Sequence, residues 1–581
     1  MFRKPSIAKP AVSFALACIS MCAVTAQAAH TLFRNGKTSY SIVVSPKAPE
    51  TELNAARELQ TYLGKIGGVN IGITNRVPQA GKYIYIGYDA NLNYHGTAGE
   101  QLANDGYAYQ SKNSGIYIYG KTARATMYGV FSFLEDEFGV RWYAKGVTKV
   151  PKLSKYTFSG LKRSSSPEVA IRRIGYKEVQ DWQWCAHNKV NGGGVPDDWG
   201  GSENYWGCHT SEQFMPVAKY YDAHPEYYSL RDGKRVSHDW QPCLSNPEVL
   251  KIFTDEVLAR IAASPNNIIY DVSQNDNWGY CTCDKCNAIV EKYQSQSGIW
   301  IWFVNQVARE VKKRYPDKFI GTFAYRYTRK PPVGIVPDDN VVIRLCSIEC
   351  CFMHPIDGCP EDCNRNFITD IKEWSQKAKH LYIWDYVVTY SQYLGPFPNF
   401  NVLGPNVHTF AKYNAMGIYE EAQYQSLYGE FSELRSYVLS RLMWNPQLDA
   451  ASLASEFIKA FYGGAADYVQ QYYDLVMGLV KDDIHCDIYP NANNPLFSDA
   501  FVEKSLALLT EAKKHCNGND ELQRIERLWL SPAYLSLMRG KGTYGSEMCN
   551  EFVRVVKRDG IRVAEVMSLD QMMEKLKQNA N

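Results

Sequence analysis

The chain has 581 residues, 45% of them hydrophobic and 13% aromatic, and a formal charge of +2. At about 150 residues per domain the length suits roughly three to four units, or fewer where one is a barrel of about 250. This apolar content excludes a disordered or collagen-like chain and a small disulfide-stapled scaffold, and the charge offers no basic excess for nucleic acid.

Arg3, Lys4 and Lys9 precede an apolar run over residues 11–24, followed by the small-residue site Ala26-Gln27-Ala28. The run is short for a membrane anchor, so it reads as a secretory signal peptide over residues 1–28. Cys18, after Ala17, leaves a bacterial lipoprotein as the alternative. The expected location is periplasmic or secreted, with no membrane span. Sixteen cysteines less Cys18 and Cys22 leave fourteen, most of them between Cys185 and Cys363.

Residues 30–153 read as a small α+β domain. Strands are expected at 40–44, 83–87, 107–110 and 116–119, with helices at 52–63 and 123–138. Residues 153–167 are polar and basic and read as a linker or domain boundary. From 168 to 445 strands and helices alternate. The strands are 169–174, 268–272, 319–324, 341–345, 380–384 and 416–419, and at least two more are hidden between Trp182 and Pro247. The fold class is therefore α/β, with a (β/α)8 TIM-like barrel. An open doubly wound sheet is the runner-up, but the chain lacks a glycine-rich phosphate-binding turn. Residues 446–581 read as a helical C-terminal region.

Side chains just past the C-terminal ends of barrel strands gather at one rim. That rule selects Asp276, Asp385 and the Glu420-Glu421 pair as catalytic candidates, since a glycosidase needs one protonated and one ionised carboxyl across the scissile bond. Glu420 and Glu421 are adjacent on a strand, so only one can point inward. Asx-turn capping by Asp276 and pairing of Asp385 with Arg344 are the structural alternatives. Substrate-binding candidates are Arg172, His187, Asn188, His209, Asn275, Trp278, Glu349, Trp384 and Tyr386. Aromatic faces suit the CH faces of sugars, and Arg172 or its neighbour Arg173 suits an acidic sugar. Core packing, turns and ion pairs are the structural readings of the same residues.

Cys281, Cys283 and Cys286 form a compact half-site, and Cys350, Cys351, Cys359 and Cys363 a second group. In an exported chain disulfides are the leading reading. A zinc site at the first group would need a fourth ligand from His209, Cys208 or Cys243. No resident metal or cofactor is expected.

Several stretches together carry a resemblance: His224-Pro225-Glu226-Tyr227; Ser273-Gln274-Asn275-Asp276 with the cysteines that follow; Phe303-Val304-Asn305 with Val307-Ala308; Tyr382-Ile383-Trp384-Asp385-Tyr386-Val387; Leu434-Arg435-Ser436-Tyr437; and Leu442-Met443-Trp444-Asn445-Pro446. Over residues 168–464 the chain resembles a large family of exported Bacteroidetes proteins related to glycoside hydrolases. The first domain resembles the N-terminal domain of alpha-glucuronidases and beta-hexosaminidases. Its matching residues are the 52–63 helix, Gly120, Thr122, Gly129, Leu134-Glu135 and Phe138-Gly139-Val140-Arg141-Trp142. In hexosaminidases an adjacent Asp-Glu pair follows the fourth barrel strand. Asn275-Asp276 stands in the comparable region here, which speaks against neighbouring-group catalysis on an N-acetyl sugar.

The resemblance implies an exported glycoside hydrolase acting on an oligosaccharide or polysaccharide, with uronic-acid-containing glycans suggested by the alpha-glucuronidase-like layout. In this reading Asp276 is the acid, and Asp385 or one of the Glu420-Glu421 pair activates water or attacks. The alternatives are a catalytically inactive glycan-binding protein on a glycosidase scaffold, and a metal-stabilised structural protein.

Overall fold

The computed structural model describes residues 29–78, 82–87, 102–541 and 543–580. The expected signal segment, residues 1–28, lies outside the described residues. Among them, no helix is long and apolar enough to cross a membrane.

The N-terminal region is α+β. A six-stranded sheet runs in the order Lys162–Ser165, Tyr107–Lys112, Gly115–Gly120, Tyr83–Ile86, Ser41–Val44, Gly72–Thr74. Helices Glu50–Gly67 and Ala123–Phe138 accompany it. Ala55, Ala56, Leu59 and Leu63 recur at helical spacing and are all buried. The first helix stops at Gly68, whose left-handed φ of 65° lets its N–H reach Gly64 O. The second starts at Thr122, whose hydroxyl accepts from Ala125 N–H.

Within residues 153–167 the chain forms two strands. Lys155–Phe158 pairs antiparallel with His30–Arg34, and Lys162–Ser165 pairs with Tyr107–Lys112. Their polar composition is that of sheet-edge strands, where charged residues are exposed and discourage further pairing.

The middle of the chain forms a curled, all-parallel sheet of seven strands: β1 Ile171–Ile174, β2 Tyr205–Trp206, β3 Ile269–Asp271, β4 Phe319–Ala324, β5 Val341–Cys346, β6 His380–Tyr386 and β7 Ala415–Glu421. The strands neighbour one another in chain order from β2 to β7, and β7 pairs with β1. The order lacks the reversal of a doubly wound sheet. Among the described residues no ladder joins β1 to β2. Instead Gly192 N–H donates to Arg172 O, and Arg172 N–H donates to Asn191 Oδ1, so this stretch runs beside β1 without becoming a strand. Of the strands expected between Trp182 and Pro247, only β2 joins the sheet. Leu230–Arg231 and Lys234–Arg235 form a separate hairpin.

Side-chain parity fixes which residues face inward. Arg344 of β5 places its guanidinium 3.9 Å from the Tyr205 ring centroid, 4.2 Å from Trp384, 5.1 Å from Tyr382 and 5.6 Å from Tyr419. Rings from β2, β6 and β7 can meet one side chain only on the concave face. Tyr382, Trp384 and Tyr386 therefore face in, and Ile383 and Asp385 face the helices. Gly321 of β4 makes room for this layer, because a Cβ there would lie 2.0 Å from the Tyr205 hydroxyl. That hydroxyl donates to buried Asp271 Oδ1 at 3.0 Å. Gly321→Ala should therefore cost about 1–3 kcal/mol by overpacking, seen as a lower melting temperature; an unchanged melting temperature would contradict this packing.

The C-terminal region is helical, with helices Ala450–Tyr462, Ala466–Met477, Asp499–Ala512, Asn519–Met538, Glu547–Asp559 and Leu569–Ala580. Between them, residues 486–490 reach back to the loop that follows β6. Tyr390 N–H donates to Ile488 O, and Thr389 Oγ1 donates to Pro490 O.

Candidate active site at the mouth of the sheet

The C-terminal ends of β2 to β7 open on a pocket of about 350 Å³. Three acidic side chains line it: Asp276 after β3, Glu421 at the end of β7, and Glu565 from the C-terminal region.

The loop after β3 is held by its neighbours so that Asp276 projects. Asn275 is committed to structure: its Oδ1 accepts from Glu212 N–H, its Nδ2 donates to Trp240 O, and its backbone pairs with the Gln241 side chain. The next residue, Asp276, is exposed. Its Oδ1 accepts from the Tyr325 hydroxyl at 2.9 Å and lies 3.5 Å from Arg326 Nη1. Arg326 sits at φ 50° and His209, which also lines the pocket, at φ 49°. This left-handed conformation is uncommon outside glycine and aims both side chains from tight turns. The His209 ring packs on Phe323, and its Nδ1 faces Gln274 O at 2.8 Å.

Glu421 is set deeper. Trp384 Nε1–H donates to its Oε2 at 2.6 Å. Burial pushes its carboxyl up to about 7, against the hydrogen bond from Trp384, and the Glu565 charge adds to the rise. Burial also raises Glu565, and the Asp276 charge acts in the same direction. Trp384 and Tyr386 form one wall. Tyr424 and Tyr489, each half exposed, form the rim.

Of the sequence candidates, the fold brings Asp276, Glu421, His209, Trp384 and Tyr386 together here. Asp385 and Glu420 do not reach the mouth. They pair in register on the outward face, one residue out of phase with Tyr386 and Glu421. The Ser347 hydroxyl donates to Asp385 Oδ1. Burial lifts Asp385 to about 6, and burial with the Asp385 charge lifts Glu420 well above the carboxylate range.

Arg172 turns outward and is spent on Asp105 at 2.7 Å and on backbone carbonyls. Arg173, its inward neighbour, stacks on Tyr419 instead. His187 stacks on Trp142 at 4.5 Å with Nε2 on Glu58, and Asn188 donates to Trp142 O and Trp184 O. These residues pack against the N-terminal region. Trp278 is 58% exposed beside Tyr327 and does not line the pocket. Glu349 pairs with Arg329 at 2.9 Å in a neighbouring groove of about 720 Å³, which shares Arg326 with the pocket.

Sequence reasoning passed over Tyr325, Arg326 and Tyr424, although they directly follow strands β4 and β7 and the same rim rule selects them. No such signal marks Tyr489 or Glu565. A smaller cleft of about 210 Å³ lies between the N-terminal region and the C-terminal helices. Its Glu178 Oε1 accepts from Tyr428 N–H and the Ser432 hydroxyl, and burial with the Glu433 charge raises this carboxyl to about 7.

The expected disulfides are not formed: all fourteen described cysteines are free. Cys243 Sγ lies 3.7 Å from Cys283 Sγ and 3.8 Å from Cys286 Sγ, far beyond the bond length of about 2.05 Å.

A sequence profile described as "Domain of unknown function (DUF4838)" matches residues 142–474, and one described as "Glycosyl hydrolase family 67 N-terminus" matches residues 26–133. No curated protein matches the chain. Among solved structures, a family GH115 4-O-methyl-alpha-glucuronidase with specificity for decorated arabinogalactans superposes with a TM-score of 0.54 at 10% identity, over 94% of this chain and 77% of that one. At that identity the likeness is one of fold. The Flavobacterium johnsoniae chitobiase (TM-score 0.47, 13% identity, 96% and 98% covered) and a GH138 enzyme targeting pectin rhamnogalacturonan II (0.46, 11%, 93% and 79%) are more distant. With more than half its length under the first profile, the chain belongs to the DUF4838 family and carries a GH67-like N-terminal domain ahead of it.

Proposed function

We propose that the chain is an exported glycoside hydrolase that cleaves a complex glycan at the mouth pocket. The observation that carries this reading is the pairing of unlike carboxyls in one aromatic-walled pocket: Glu421 raised to about 7 by burial, and Asp276 open to solvent. Two carboxyls in different environments are what acid–base cleavage of a glycosidic bond requires. Glu421 gives its proton to the leaving-group oxygen as the bond to the anomeric carbon breaks. Asp276 takes the proton of the attacking water or bonds to that carbon itself. This reverses the assignment of Asp276 as the acid, because the deeper group is the one that holds a proton near neutrality.

Tyr424, Tyr489 and Trp384 offer ring faces to the sugars, and the groove continuing past Arg326 has room for further units. Arg326 is the cation on the pocket wall, suited to a uronic-acid carboxylate. The fold likeness to an alpha-glucuronidase supports that substrate class. We also read the sheet as a (β/α)8 barrel in which the stretch beside β1 stands in for a strand. The first domain then extends through the Lys162–Ser165 strand, followed by the barrel to about residue 445 and the helical region beyond.

A digestion screen of uronic-acid-bearing and neutral glycans with the wild type and Asp276→Asn tests this. Product release by the wild type, reduced at least about 100-fold in the variant, is expected. Saturable glycan binding with no product in either protein would leave only a binding function, and equal turnover by both would remove Asp276 from the chemistry.

A further inference from the structure

We infer that the chain holds two structural metal ions of the zinc class, one bound by four cysteines and one by two cysteines and two histidines, each bracing a loop that lines the mouth pocket. This rests on side-chain geometry and does not depend on the glycosidase reading.

The first site is built from Cys243, Cys281, Cys283 and Cys286, whose sulfurs all lie within 4.8 Å of one another. A tetrahedral zinc with Zn–S bonds of about 2.3 Å requires S···S edges of about 3.8 Å. The separations from Cys243 Sγ to Cys283 Sγ and Cys286 Sγ are 3.7 and 3.8 Å. These thiols are too far apart to be bonded, and they sit at the edge length of a tetrahedron that shares one cation. Donors surround the sulfurs, as four thiolates on a divalent ion would require. Leu230 N–H and Arg235 Nη1 point at Cys281 Sγ from 3.3 and 3.6 Å, and the Ser245 hydroxyl lies 3.7 Å from Cys243 Sγ, free to turn its proton towards that sulfur. Cys243 comes from one loop, and the other three lead into the helix Asp284–Tyr293, so the ion would tie two segments.

The second site draws on Cys351 and His354 after β5, Cys359 from the same loop, and His485 from the C-terminal region. With Zn–N near 2.0 Å and Zn–S near 2.3 Å, a tetrahedron has S···N edges of about 3.5 Å. Cys351 Sγ is 3.5 Å from His354 Nδ1, and Cys359 Sγ is 3.6 Å from His485 Nδ1. The outer nitrogens are already used. His354 Nε2 is 3.0 Å from Lys481 O, a carbonyl that can only accept. That contact puts the ring proton on Nε2 and leaves the Nδ1 lone pair aimed into the cluster. His485 Nε2 likewise lies 3.6 Å from Glu361 Oε1. Histidines that ligate metals are held by this kind of outer contact.

Both sites buttress the mouth. Gln241, two residues before Cys243, bonds the backbone on either side of Asp276. His485 precedes Ile488 and Tyr489 of the pocket wall, and Phe352 N–H ties the two segments at Cys486 O.

The test is metal analysis of the full chain, untagged and dialysed after exposure to excess zinc ion. Two zinc ions per chain are expected, with an X-ray absorption signal averaging three sulfur and one nitrogen ligands per zinc. Cys281→Ser/Cys286→Ser and Cys359→Ser/His485→Ala should each lose one ion and keep the other. The wild-type count and ligand average decide the matter even if a variant fails to fold. Zinc well below one per chain, or an intact mass showing the cluster cysteines in disulfides, would overturn both sites. A count unchanged by one double variant would overturn the site that variant removes.

Discussion

Glu421→Gln should lower kcat by about 10²–10⁴-fold, the usual contribution of a positioned general acid. Glutamine keeps the shape and can still accept from Trp384 Nε1–H, so the pocket should stay intact while the transferable proton is lost. In the wild type the acid form is present below about 7, so activity should fall as pH rises through that value. The same group sets a stability trend. Its folded value of about 7 lies above the ordinary 4.5, so its contribution is fully present below 4.5 and is lost as pH rises through 7. The variant cannot ionise there. At pH 8 it should melt no lower than the wild type while being nearly inactive. Steady-state kinetics against pH with a matched melting curve checks both. A variant that keeps wild-type kcat, or a wild-type alkaline limb far from neutrality, would take the acid role from Glu421.

Glu135→Ala should be among the most destabilising single changes in the chain, at about 3–5 kcal/mol. Glu135 is buried on the second N-terminal helix. It accepts from Lys189 Nζ at 2.8 Å and from Arg441 Nη2, so it joins that helix to the segment after β1 and to the helix Ser432–Trp444. Alanine removes the carboxylate that pairs with buried Lys189 and with the largely buried Arg441. Burial alone would raise Glu135, but Arg441 and Lys189 hold it down at about 2. Its stabilisation is therefore present above 4.5 and is lost as pH falls towards 2. A melting temperature lower by several degrees at pH 7 is expected in the variant. Replacing all three charges by apolar residues of similar size should recover much of the loss. If Glu135→Ala melts like the wild type, the three charged groups do not hold these segments together.

The element order was largely legible because helix and strand periods are strong signals over long segments. Two kinds of information were not. The β6 run Tyr382-Ile383-Trp384-Asp385-Tyr386 carries large apolar or aromatic side chains at both parities, as parallel strands covered on both sides do, so the apolar pattern does not say which parity looks inward. That ambiguity is why Asp385 and Glu420 stood beside Glu421 as candidates. The second kind is tertiary. Arg172, His187 and Asn188 look like site residues until Asp105, Glu58 and Trp142 arrive from the N-terminal region to occupy them. Glu565 and Tyr489 become pocket residues only because the C-terminal region folds back more than 60 residues past the last strand. For the cysteines the sequence offers only the compartment implied by the leading segment, whereas the 3.7 and 3.8 Å separations of their sulfurs exist only in the fold.

That fold-back has a practical side. The DUF4838 match stops at residue 474, while Ile488, Tyr489 and Glu565 all lie beyond it. A fragment trimmed to the matched stretch would keep Asp276 and Glu421 on the sheet but present them in a trough with one side cut away. The acidic pair and part of the surface that meets its ligand thus come from separate tracts of sequence. Substitutions in the trailing tract can reshape that surface and leave the strand ends untouched.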